Sequence, residues 1–543
     1  MGFLIGMSAV CSEYSVQIDS LETLKDMSDS IQGADAESFM ISSEFPAGVN
    51  LRRLLNEQRE EFAAAMKEIG CPVLRMADMC RYSWESPDIT KMLQGGNKDT
   101  DYWWYSPKDF HKFCKDNKIK IIGFLDTYRW YDDKLKTVID LRDPKTKLVK
   151  EITPAQLESL LAANRKKLEW VRDNGYADLY VAWEIGNENY YQFREAPALY
   201  AKMALALTKM AKEVIPQTRT SVCIFVCAAD DENLTRDLDK SNPASITDMY
   251  DRWRTWSSCM LDALGDDAKI IYYGAIHLYG FQLRYNANNK GLTTHARFVD
   301  AHPNAKHFRF IATEWRHTSG DDLIGHRMFK TAALWKAKFT LDLLAHPRID
   351  YTSVHEFTTF SGLLYVNDGK VWRCQSKNKT KPIVPYASKP GSPALEIGPF
   401  GPVMKMANEL VEKYPFMIAR KSGLGETSSV VFAEQVEAGS ISDDGLDIDY
   451  LIAASKAHDS AGGIVVNTFT QPVSFSLKGK MKFSIYKARS FNCPVSNIFD
   501  ITVPGDKQPW SIVTLQANAD GMIVLPPCSV TFFEAKKQTG SSN

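Results

Sequence analysis

Three observations predict an α/β chain: a (β/α)8 (TIM) barrel over residues 1–415 followed by a C-terminal antiparallel β-sandwich over residues 416–543. Apolar runs of strand length alternate with segments of helical periodicity through the first region, and such alternation implies parallel strands. Several of these runs end abruptly in acidic, histidine or aromatic residues, as strands do at the mouth of a barrel. Beyond Ile418 long helices give way to short alternating runs punctuated by Gly462-Gly463, Pro504-Gly505 and Pro526-Pro527. A chain of 543 residues also exceeds what one hydrophobic core organises, so two domains are expected.

Taken in order, Phe3 to Ala9 reads as the first barrel strand, with Ser38 to Ser42 as a rival. Leu54, Leu55, Phe62, Met66 and Ile69 share one face of a helix that Gly70 ends, and Pro72 to Met76 is the second strand. A segment rich in Trp, Tyr and Asp follows, closing in a helix from Pro107 to Asn117. Ile119 to Leu125 is the third strand. Thr153-Pro154-Ala155-Gln156 is a capping box with Pro at the first helical position, opening a helix that turns Leu157, Leu160, Leu161 and Leu168 inward. The fourth strand is Leu179 to Glu188, an apolar run that breaks into Gly186-Asn187-Glu188-Asn189. A helix carrying Leu199, Met203, Leu207, Met210 and Val214 leads to a fifth strand, Thr220 to Cys227. A helix over 246–264 precedes a sixth strand at Ile270 to Ile276, which ends in His277-Leu278-Tyr279. The seventh, Phe308 to Thr313, ends in Glu314-Trp315-Arg316. A helix over 321–345, an eighth strand at Asp350 to Val354 and a last helix at Pro402 to Lys413 complete the barrel.

Composition excludes several classes. The formal net charge is -1, so no global field recruits nucleic acid or an acidic membrane. No apolar run approaches the ~20 residues of a membrane-spanning helix. The apolar opening residues 1–7 lack a basic segment, so no signal peptide is expected there. The 10 cysteines include no C-x-x-C pair and no metal-ligand spacing, which predicts neither structural zinc nor another metal; an even count permits disulfides without specifying any. No cofactor and no oligomeric state is implied.

Glu188 and Glu314 are the candidate catalytic residues. Each stands just past a buried strand, on the fourth and seventh strands, whose ends face one another across a barrel mouth. Two carboxylates about 5 Å apart suit retaining glycoside hydrolysis, one as nucleophile and one as acid/base. Glu184 lies on the same strand as Glu188 and is expected deeper in the barrel, paired with a cation in a structural role.

Trp183-Glu184-Ile185-Gly186-Asn187-Glu188 resembles the Trp-x-x-Gly-Asn-Glu signature of clan A retaining glycoside hydrolases, and Thr313-Glu314-Trp315 resembles that clan's strand-seven nucleophile motif. His277-Leu278-Tyr279 resembles its strand-six His-x-Tyr, and Val73-Leu74-Arg75 its strand-two Leu-Arg. A barrel followed by a β-sandwich is the layout of the arabinofuranosidase, β-xylosidase and β-glucuronidase branches. The resemblance implies Glu188 as acid/base and Glu314 as nucleophile, with Tyr279 and Arg75 holding Glu314 ionised and Asn187 bonding the sugar 2-hydroxyl. Those branches usually carry Gly-Gly soon after the strand-two Arg, where this chain reads Met76-Ala77-Asp78; Arg316 stands where Asn is common, and His355-Glu356-Phe357 ends strand eight where a Trp is often found. Subfamily and substrate stay open.

The expected partner is a poly- or oligosaccharide. Arg75, Arg81, Arg129, Arg316, His277 and His317 near the mouth could receive a uronate or sulfate, making an anionic sugar one reading of the substrate. Trp84, Trp103, Trp104 and Trp130 could stack on sugars or fill the core of their own loops, and Trp315 adjoins the nucleophile. Beside the leading reading stand an arabinofuranosidase or β-xylosidase acting on neutral pentoses, an endo-acting hydrolase or transglycosylase, and a non-catalytic carbohydrate-binding barrel. The activity class favours a secreted or periplasmic location, with a cytoplasmic one also open.

Overall fold

A computed structural model describes residues 12–28, 31–35, 64, 66–75, 84, 107–226, 249–279, 285–316, 332–354, 364–367, 394–397, 400–421, 448–469, 471–492 and 511–538. Eight parallel strands close into a barrel: Ile31–Asp35, Val73–Arg75, Lys120–Leu125, Tyr180–Ile185, Thr220–Cys223, Tyr273–Tyr279, Arg309–Arg316 and Ile349–Val354. The ring is sealed by Ile349–Val354 pairing with Ile31–Asp35. Seven of the eight coincide with the runs read from the sequence. The first does not: it is Ile31–Asp35, while Phe3 to Ala9 and Ser38 to Ser42 lie outside the described residues.

Alternation along the strands divides inside from outside. Val73, Ile122, Ala182, Tyr273, Ala275, Ile311 and Tyr351 form one cluster filling the barrel's lower interior. Their neighbours in sequence, such as Leu74, Ile121, Trp183, Ile276 and Phe310, join the larger cluster between strands and helices. The Pro154–Asp173 helix begins as predicted: Thr153 Oγ1 accepts from the Gln156 backbone N–H and Gln156 Oε1 accepts from that of Thr153. Leu160 and Leu168 are buried on its inner face. Elements not expected include a hairpin of Arg129–Asp132 with Thr137–Asp140 after strand three, a second hairpin of Leu364–Asn367 with Ala394–Ile397 and a helix over Tyr285–Ala301. No helix among the described residues is long and apolar enough to cross a membrane.

The C-terminal region forms a seven-stranded and a three-stranded sheet. Val473, Phe475, Ile485 and Phe533 share one hydrophobic cluster between them, with Phe475 and Phe533 ring centroids 5.7 Å apart. Ser460–Asn467 is buried on both faces. Val465 points into that cluster, whereas Ile464 and Val466 pack with Met404 and Leu410 of the Phe400–Lys413 helix. A strand covered on both sides reads as a continuous apolar run, as Ile464-Val465-Val466 does.

Two expectations about this region are corrected. Ser12–Gln17 pairs with Val473–Lys478, and Lys25–Asp26 with Phe416–Met417, so the chain's N-terminal strands belong to the C-terminal sheets and the boundary placed at 415/416 does not divide the molecule. The Ser12–Gln17 pairing is parallel, so the unit is not purely antiparallel. Both follow from sequence distance. A strand can add to any free edge whose face matches its alternation, and Val16 and Ile18 complete the cluster beneath Phe475. Contacts between barrel and sheets are polar as well as apolar. Lys338 pairs with Asp449 at 3.0 Å, Arg420 pairs with Asp342, and Lys25 Nζ donates to the carbonyls of Leu344 and His346 at 2.7 and 2.6 Å.

Candidate active site

At the upper end of the barrel the inward positions change from apolar to charged. Strand two turns Arg75 inward above Val73, strand four turns Glu184 inward above Ala182, and strand six turns His277 inward above Ala275. Arg75 is fully buried and its three nitrogens serve three acceptors. Nε donates to Glu184 Oε2 at 2.8 Å, Nη1 to Glu314 Oε1 at 2.7 Å and Nη2 to Asn187 Oδ1 at 2.6 Å. Its guanidinium lies 4.7 Å from the Phe124 ring centroid, a cation–π contact that supports the plane from strand three. The planar fork explains why arginine stands here, since lysine offers one point charge and could not hold three acceptors in fixed geometry.

Strand seven needs an irregularity to present its carboxylate. Thr313 and Glu314 are adjacent, so strict alternation would send them to opposite faces. The pairing with strand six runs Ile276 to Ala312 and then His277 to Glu314, skipping Thr313; the pairing with strand eight also shifts between Ala312 and Trp315. This bulge aims both side chains inward: Thr313 Oγ1 donates to Glu184 Oε1 at 3.2 Å, and Glu314 meets Arg75.

The turn after strand four carries the other carboxylate. Gly186 has φ +69°, and a Cβ there would fall 1.9 Å from Asn189 Nδ2, so both conformation and space require glycine. Asn189 is buried and binds the turn to its neighbours. It accepts from Thr127 Oγ1 at 2.9 Å and donates to the Ile185 carbonyl at 2.9 Å. Glu188 itself sits in the left-handed region at φ 48°, ψ 40°, a conformation that costs a non-glycine residue about 1–3 kcal/mol and must be held by its surroundings. The Glu188 side chain keeps 26% exposure against 5% for Glu314, so one carboxylate reaches the opening and the other is enclosed.

The two meet through His277. Its Nδ1 lies 3.0 Å from Glu188 Oε1 and 3.4 Å from Glu314 Oε2, and its Nε2 is 3.9 Å from Glu184 Oε1. Burial lowers the His277 pKa, but the charge of Glu314 and the bond to Glu188 outweigh it, and the imidazole is raised above its ordinary value. Burial pushes the Glu184 carboxyl up, with Arg75 and His277 pulling the other way. One ligand atom each of Glu188, His277 and Glu314 lies within 4.8 Å of the others. That trio could approach a cation, but the Arg75 guanidinium already bonds Glu314, and a second positive charge there would face it directly.

Glu188, Glu314, Asn187, Arg75 and His277 are therefore brought together. Trp315 is not. It is fully buried on the outer face of strand seven, with its ring 5.4 Å from Phe339 and 5.7 Å from Phe400, so its expected contact with substrate is corrected to core packing. Trp84 packs 5.4 Å from Trp170 in the main cluster, and Trp130 is 5% exposed, so neither presents a face to a sugar. The side chains of Tyr279 and Arg316 lie outside the described residues; their backbones pair with one another at the ends of strands six and seven. Arg81, Trp103, Trp104 and His317 are also outside them. Arg129 packs over Tyr128, 5.2 Å from its ring centroid. Sequence reasoning missed Tyr190, whose hydroxyl donates to Glu188 Oε1 at 2.7 Å. Its place two residues beyond a catalytic candidate was the available signal.

No family model matches the sequence, and no curated protein does. Solved structures match along nearly its whole length. An arabinofuranosidase crystal structure aligns with TM-score 0.60 at 14% identity, over 96% of this chain and 100% of that one. An α-L-arabinofuranosidase from Thermotoga maritima in complex with arabinose aligns with TM-score 0.57 at 14% identity, over 96% and 100%. A monomeric β-xylosidase from Caulobacter crescentus aligns with TM-score 0.50 at 11% identity, over 97% and 98%. At these identities the likeness is one of fold.

Proposed function

We propose that the chain is a retaining glycoside hydrolase with Glu314 as nucleophile and Glu188 as acid/base. The observation that carries this is the approach of Glu188 and Glu314 oxygens to within 4.8 Å, on strand ends four and seven, against the ~5–5.5 Å typical of retaining pairs and the wider gap of inverting ones. Two arabinofuranosidases and a β-xylosidase among the solved structures of similar fold support this reading.

The chemistry follows from the neighbours of each group. Glu314 attacks the anomeric carbon as the bond to the leaving oxygen breaks, and Glu188 gives its proton to that oxygen. Water, deprotonated by Glu188, then displaces Glu314. Arg75 stabilises the anionic Glu314 and orients it, since a guanidinium bonded at 2.7 Å favours the carboxylate. Asn187 has its amide orientation set by the same arginine: only its oxygen can face a guanidinium, which leaves Nδ2 as a donor for a sugar hydroxyl.

The substrate reading we favour is a neutral pentose, an α-L-arabinofuranoside or β-D-xyloside. Arg75 spends its nitrogens on Glu184, Glu314 and Asn187, and His277 faces carboxylates, so these two basic groups, among the described residues, are engaged by the protein's own groups rather than by a substrate anion. A panel of aryl glycosides (α-L-arabinofuranoside, β-D-xyloside, β-D-glucuronide, β-D-galactoside), followed by proton NMR of the first-formed anomer, tests this. Turnover of the pentosides with retained anomeric configuration is expected. Inversion would remove the mechanism, and preference for the glucuronide would remove the substrate reading.

A further inference from the structure

Glu188 is held by two groups on the same oxygen. Tyr190 donates to Oε1 at 2.7 Å and His277 Nδ1 faces Oε1 at 3.0 Å. Both contacts fall on Oε1 rather than Oε2. Tyr190 is built to keep its place: it is 3% exposed, with its ring 4.6 Å from Phe225, 5.1 Å from Trp253 and 6.2 Å from Trp256. Burial, then the charge of Glu188, pushes its phenol well above the ordinary value, so the hydroxyl remains a donor throughout the neutral range.

We infer that Tyr190 is a positioning residue that occupies Glu188 Oε1 and so assigns the transferable proton to Oε2, leaving that oxygen to serve the leaving group. The inference rests on the hydrolase reading above. A carboxyl group carries its proton on either oxygen. The carbonyl oxygen of a carboxylic acid is a better acceptor than its hydroxyl oxygen, so the bond from the buried phenol favours Oε1 as the carbonyl oxygen and Oε2 as the one that carries the hydrogen. In the first step the Oε2–H bond breaks, its proton passes to the glycosidic oxygen, and the electron pair of the broken C–O bond stays on the leaving alcohol. In the second step Oε2 recovers a proton from the attacking water. Tyr190 itself exchanges nothing. It also offsets the strain of the left-handed Glu188 backbone, since both ends of the four-residue segment Glu188–Tyr191 are tied, one by this bond and the other by the Tyr191 N–H donating to the Glu188 carbonyl at 2.9 Å.

The test is Tyr190→Phe, which keeps the buried ring and removes only the hydroxyl. Aryl glycosides of graded leaving-group basicity separate proton donation from everything else, because a dinitrophenolate departs with little help and an alkoxide needs an acid. The variant is expected to lose roughly tenfold to hundredfold more on poor leaving groups than on activated ones, within the 10²–10⁴-fold that general acid catalysis supplies. A loss equal across the series would mean a structural role and overturn the inference, as would no loss. If the wild-type protein hydrolyses none of the glycosides, the hydrolase reading fails separately. The Tyr190 bond is then read by carbon-13 NMR of glutamate-labelled protein, with the Glu188 carboxyl assigned by Glu188→Gln. A displaced carboxyl resonance in Tyr190→Phe supports the contact and an unmoved one refutes it.

Discussion

Replacing Arg75 with Met leaves a side chain of similar length in a fully buried position and strips one charge and three donated bonds from the centre of the barrel. The group that suffers most is Glu184, which has no exposure and loses its shortest contact, the 2.8 Å bond from Nε; the 3.2 Å bond from Thr313 cannot neutralise a carboxylate. Removing one partner of a buried ion pair costs about 3–5 kcal/mol, far more than the pair itself contributes relative to an apolar pair. The cost must depend on pH. Burial raises the Glu184 pKa in the folded protein, so its contribution is greatest below the ordinary glutamate range and falls as pH rises through the folded value. Arg75 opposes that rise, and without it the decline extends further. Urea denaturation of Arg75→Met against wild type is expected to show a deficit of about 3–5 kcal/mol at pH 7 and a smaller one at pH 5. Arg75→Met/Glu184→Gln should regain part of the loss, because the stranded charge is gone. Catalysis should fall roughly hundredfold or more even where the variant is folded, as Glu314 and Asn187 lose their common anchor. A deficit under about 1 kcal/mol, or one equal at both pH values, would refute the account of this site as a charge network centred on Arg75.

Glu314→Ala should abolish turnover with the fold intact by circular dichroism; Glu188→Ala should retain measurable activity on dinitrophenyl glycosides, with added azide yielding a glycosyl azide, and failure of both would exchange or remove the assigned roles. Gly186→Ala is expected to destabilise by about 2 kcal/mol or more, because φ +69° is strained for alanine and its Cβ meets Asn189; a neutral result in thermal denaturation would contradict the turn geometry. Burial lowers the Lys25 pKa to about 7, against a partial pull upward from Asp350. The folded state therefore disfavours its charge, and wild-type stability should rise relative to Lys25→Met as pH increases from 7 toward 10, by at most about 1.4 kcal/mol per pH unit. Parallel stability curves for the two proteins over that range would show that the carbonyls of Leu344, His346 and Ile349 around Nζ hold it charged.

The sequence was most legible where a local pattern carries its own consequence. Seven of the eight barrel strands, the Thr153 cap and the polar strand ends at Glu188, His277 and Glu314 follow from alternation and capping chemistry, which act over a few residues. The expected pairing of Glu184 with a cation also follows, because a carboxylate on the inward face below the mouth has no water to turn to. Tryptophan was the least legible type. Trp84, Trp130 and Trp315 are apolar enough for a core and aromatic enough for a sugar, and periodicity alone does not say which face of a strand meets helices and which meets solvent.

By itself, then, the sequence determined that two carboxylates stand at the ends of the fourth and seventh barrel strands, because strand length, spacing and the break to polar residues are local properties. Tertiary structure decided what those carboxylates touch. The bulge at Thr313 turned two consecutive side chains inward, Arg75 was placed among Glu184, Glu314 and Asn187, and Tyr190 closed on Glu188. It also gave Ser12–Gln17 to the C-terminal sheets. The physical reason is common to all of these. A residue's pattern records that it will be buried or exposed, whereas its partner is chosen by free edges, register and residual volume that exist only once distant segments have packed.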